Sequence, residues 1–74
     1  MREEELTTIS SKEVGARMRR IREERGLSTA ELAQGVGVDE EQLAAWESGQ
    51  GVAPYATIIA IAAALKTTAD AFVS

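Results

Sequence analysis

The stretch from Leu27 to Gly49, LSTAELAQGVGVDEEQLAAWESG, limits the fold of this chain more than any other. Ser28 followed by Glu31 has capping-box spacing: the hydroxyl serves the backbone of the third helical residue and the carboxylate reaches back. A helix starting there runs to about Gly35, with Leu32, Ala33 and Val36 turned inward. Gly37 stands in the next turn, where a missing Cβ permits a positive φ. Asp39 is placed to cap a further helix, with Gln42 at its capping-box position. Leu43 and Trp46, three apart, point to the core, with Trp46 largely buried against the first and fourth helices, and Ser48, Gly49, Gln50 and Gly51 end the helix in a loop. Two short helices joined by a glycine turn, with a small alanine in the first, pack at a steep angle.

The flanks add three helices. Ser10 and Glu13 repeat the capping-box spacing, Val14, Met18 and Ile21 form an apolar stripe, and Gly26 is placed to end the first helix. Pro54 suits the opening of a fourth helix with Ile58, Ile61, Ala62 and Leu65 inward. Thr67 or Thr68 would cap a short fifth, carrying Ala69, Phe72 and Val73 to the core. Strand signals are missing. The expectation is an all-α domain over residues 11–74, behind an acidic N-terminal arm over 1–10, with the two-helix unit at about 28–48.

With neither cysteine nor histidine among 74 residues, disulfides and the usual zinc ligands are excluded, as is the side chain best suited to proton transfer near neutrality. Glu40 and Glu41 are adjacent on a helix start and diverge by about 100°, so they do not converge on a substrate. No enzyme activity, metal or cofactor is expected. The apolar runs are far too short to cross a bilayer, and the first residues lack the apolar core of a secretory signal. No membrane partner and a cytoplasmic location are the expectation.

Arg22-Glu23-Glu24-Arg25-Gly26-Leu27-Ser28, then Glu31-Leu32-Ala33, Gly37-Val38, Trp46-Glu47, Gly49 and Ala62-Ala63-Ala64-Leu65 stand in an order and spacing that resembles the Cro/CI (XRE) family of helix-turn-helix DNA-binding domains. The likeness covers about residues 12–73. It implies a compact five-helix bundle of the lambda-repressor-like type, acting as the sequence-specific DNA-binding domain of a transcriptional regulator. Its third helix would enter the major groove of double-stranded DNA, and the domain would bind a palindromic site as a homodimer. Carried over residue by residue, the resemblance assigns base reading to Glu40, Glu41, Gln42 and Ala45. It assigns backbone contact to Ser28, Thr29 and the loop holding Gln50, and a structural ion pair to Arg22 and Glu47.

The chain departs from the family pattern in charge. Residues 11–26 carry six cations against three acids, whereas residues 27–52 carry Glu31, Asp39, Glu40, Glu41 and Glu47 with no Lys or Arg. Glutamates stand where donors to guanine or adenine are usual, although a glutamate can accept from cytosine N4. Thr29 stands where a phosphate-gripping glutamine is common, and the loop after Gly49 lacks the usual cation. A second reading therefore stays open: a helix-turn-helix that binds a basic protein partner through its acidic face. The arginines Arg17, Arg19 and Arg20 are candidate phosphate contacts on a face that is otherwise solvated.

Overall fold

The computed structural model describes residues 10–73; the acidic arm, apart from Ser10, lies outside the described residues. Five helices follow in order: α1 (Ser11–Glu24), α2 (Thr29–Val36), α3 (Glu40–Glu47), α4 (Tyr55–Ala64) and α5 (Asp70–Val73), with no strand among the described residues. The Ser10 hydroxyl accepts from the Glu13 backbone N–H at 3.1 Å and so opens α1. α1 closes through Gly26, which has φ 73° and lets Leu27 N–H reach back to the Arg22 carbonyl at 3.2 Å. Gly37 and Gly49 end α2 and α3 by the same reversal. α4 ends this way too, but through Lys66, held at φ 57°.

α1 packs on α3 and α5, and α2 packs on α3 and α4. Met18, Leu32, Leu43, Ile61, Leu65 and Phe72 fill the centre. The α4 stripe is as expected, since Ile58, Ile61, Ala62 and Leu65 are all buried. Gly15, inside α1, is buried against the end of α3: a Cβ there would collide with the Trp46 carbonyl oxygen. No larger residue fits, so α1 meets α3 main chain to main chain.

Trp46 packs against the core as expected, although it stays partly exposed and outside the fully buried set. Asp39 holds the N-cap position of α3 without a side-chain capping bond, so the expected box with Gln42 does not form, and both side chains face solvent. Val36 is half-buried. Val73 is 44% exposed, because α5 is a single turn and Phe72 takes its inward position. The Thr68 carbonyl, accepting from Ala71 N–H at 3.1 Å, helps start that turn.

Candidate nucleic-acid interface

The start of α2 is built as a complete capping box. Ser28 Oγ accepts from Glu31 N–H at 3.0 Å, and Ser28 N–H donates to Glu31 Oε1 at 2.8 Å. The Ser28 backbone N–H first, and the Ser28 side chain beside it, hold the Glu31 carboxyl below its ordinary pKa of 4.5. The Ser28 hydroxyl is thus committed to the cap. The next amides, of Thr29 and Ala30, lack helical partners and face outward from the helix end. Thr29 itself is half-buried.

α3 is held to the body by its far side. Leu43 is fully buried. Glu47 takes a two-pronged bond from Arg22, with Nε–H to Oε2 at 2.8 Å and a second guanidinium N–H to Oε1 at 3.0 Å. A third guanidinium N–H donates to the Leu27 carbonyl at 2.8 Å. The two side chains are 9% and 6% exposed. The bond to Glu47 raises the Arg22 pKa above its ordinary value, with burial opposing. This cluster ties α1, the α1–α2 turn and the end of α3 together.

The opposite side of α3 is open. Glu40, Glu41, Gln42 and Ala44 are exposed, Ala45 a turn further on is half-buried, and Gln50 is exposed past Gly49. Glu40, Glu41 and Gln42 therefore share the outward first turn, while Gln50 lies at the other end and Ser28 and Thr29 at the start of a neighbouring helix. The acid count of residues 27–52 overstates the charge here, because Arg22 neutralises Glu47. Glu31, Asp39, Glu40 and Glu41 remain as exposed carboxylates.

Sequence reasoning missed two features that frame this surface. Gly49 has φ 85°, and a Cβ there would lie 2.8 Å from Lys12 Cα, so the first turn of α1 rests on the loop after α3. Ser11 Oγ donates to the Gly49 carbonyl at 3.1 Å across the same contact. At the other end of α1, Arg25 Nε–H donates to the Leu65 carbonyl at 2.7 Å, capping α4. An interior glycine at position 15 signals a close helix approach, but nothing in the sequence says which element approaches.

An outward helix anchored at its back, preceded by a capped helix at a glycine turn, defines a helix-turn-helix domain of the Cro/CI type. The chain belongs to that family: the model described as "Helix-turn-helix domain" matches residues 13–72. Among solved structures it is similar to the restriction-modification controller protein C.AhdI from Aeromonas hydrophila, with 29% identity over 84% of this chain and 94% of that one, TM-score 0.80. It is also similar to SinR, a master regulator for biofilm formation solved in complex with DNA, with 28% identity over 77% and 92%, TM-score 0.72. A further likeness is to Fe(II)-HppE, solved with an alternative substrate, at 29% identity over 92% of this chain but 35% of that one, TM-score 0.81. No curated protein matches.

Proposed function

We propose that this chain is the sequence-specific DNA-binding domain of a transcriptional regulator, with α3 in the major groove of double-stranded DNA. Glu40, Glu41, Gln42 and Ala45 meet base edges, while the α2 amides at Thr29 and the loop holding Gln50 run along the phosphate backbone. The observation that carries this reading is the outward α3, open over its first turn and fixed from behind by the Arg22–Glu47 bond. The likeness to SinR, whose structure contains DNA, supports it. A homodimer on a palindromic site completes the reading. Its contacts fall on the groove lined by Tyr55, Ile59, Ala62 and Ala63 of α4 and by Thr67, Thr68 and Ala69 of the turn before α5, with Tyr55 71% and Ile59 48% exposed.

The test is selection from a random duplex pool at low salt, followed by sequencing of the retained DNA. The expected result is enrichment of paired half-sites of opposite orientation about one helical turn apart. A second reading has its own observation, the exposed carboxylates of Asp39, Glu40 and Glu41 beside a segment free of Lys and Arg. Those charges suit a basic protein partner. Retention of no duplex at all would select it.

A further inference from the structure

The loop after α3 has no cation of its own, yet the reading above sets it beside phosphates, where attraction supplies most non-specific affinity. The fold brings a cation to it from elsewhere. Gly49 has no side chain, and in its place the main chain and stem of Lys12 close on the loop, with Lys12 Cα, Cβ and Cγ at 2.8, 3.1 and 3.3 Å from where a Cβ would stand. The hydrogen bond from Ser11 Oγ to the Gly49 carbonyl fixes this register. Lys12 is exposed.

Four other cations on α1 or at its C-cap are engaged. Arg17 lies 3.9 Å from Glu13 and Arg19 lies 3.4 Å from Glu23. Arg22 is closed on Glu47, and Arg25 bonds Leu65 at the far end of the helix. Lys12 and Arg20 are the α1 cations whose side chains make no ion pair among the described residues, and of these Lys12 touches the loop. We propose that Lys12, carried on α1, supplies the phosphate contact that the loop after Gly49 lacks. This rests on the DNA-binding reading. Lys12 reads no base: it adds affinity to every duplex alike and gives the acidic α3 face a local attraction to work against.

The experiment is a salt titration of duplex binding by fluorescence anisotropy, on random and selected sequences, for the wild-type chain, Lys12→Gln, Lys12→Arg and Lys66→Gln. Lys66 is the control, an exposed cation next to Leu65 at the opposite end of α1. Losing one phosphate contact lowers the slope of log affinity against log salt by about 0.9 per bound chain, which is about an eight-fold loss of affinity at 0.1 M salt. Lys12→Gln should show that loss equally on both duplexes, while Lys12→Arg and Lys66→Gln keep the wild-type slope. Wild-type binding with an unchanged slope in Lys12→Gln overturns the role of Lys12 and leaves the DNA reading standing. An equal loss in Lys66→Gln also overturns it, since the effect would then be one of net charge. A wild-type chain that binds no duplex overturns both.

Discussion

Arg22 donates to two elements at once, the Glu47 carboxylate on α3 and the Leu27 carbonyl ahead of α2. Removing Glu47 leaves a buried guanidinium without its counter-charge, so Glu47→Ala should cost about 3 kcal/mol. That is a large share of the roughly 4–11 kcal/mol that a chain of this length holds. A double-mutant cycle in urea checks it, and near-zero coupling between positions 22 and 47 would refute the account. Trp46 lies at the core's edge, so Trp46→Ala should cost less than the roughly 3–5 kcal/mol of a fully buried aromatic. Glu31 adds a pH dependence. Its pKa is lowered in the folded chain, so its contribution is present above the ordinary value of 4.5 and is lost as pH falls through the lowered one. Comparing Glu31→Gln with wild type in acid melts should show the variant's stability falling less over that window. At this scale the sequence was legible where a residue pairs with near neighbours, as Ser28 does with Glu31. It was not where tertiary contact decides, as with Gly15, whose meeting with the Trp46 and Glu47 main chain is set by how α1 lies on α3.

Helix starts and stops were readable because caps and glycines act within four or five residues. The exceptions have physical causes. Asp39 precedes two further carboxylates and stays in solvent, and α4 ends on Lys66, which no glycine marks. A non-glycine residue in the left-handed region costs on the order of 1 kcal/mol, so Lys66→Gly should be neutral to slightly stabilising in a thermal melt despite its greater chain entropy. Gly15 has the opposite sign. On helix propensity alone Gly15→Ala gains up to about 1 kcal/mol, but the added methyl meets the main chain of Trp46 and Glu47. Main chain cannot swing aside as a side-chain tip can, so a net loss of about 1–3 kcal/mol is expected in urea unfolding. A gain would show that α1 and α3 are less closely joined than the structure has them.

Across the whole molecule, the division of charge was visible in sequence but its arrangement was not. The count over residues 27–52 hid the neutralisation of Glu47 by Arg22 and the arrival of Lys12 beside Gly49, because both depend on how α1 lies across α3. The family was legible from ordered short motifs. The order of Glu40, Glu41 and Gln42 on one open turn follows from helix geometry once α3 is anchored from behind. The central claim is that this acidic turn lies against DNA, and replacing both Glu40 and Glu41 with Gln tests it most directly. The measurement is affinity for a random-sequence duplex across a salt series, wild type against the double variant. If the turn faces DNA, removing two negative charges raises affinity, most at low salt, because the lost repulsion is screened by ions. Affinity for random duplex that is unchanged or lower at every salt concentration would contradict the account and place that face elsewhere.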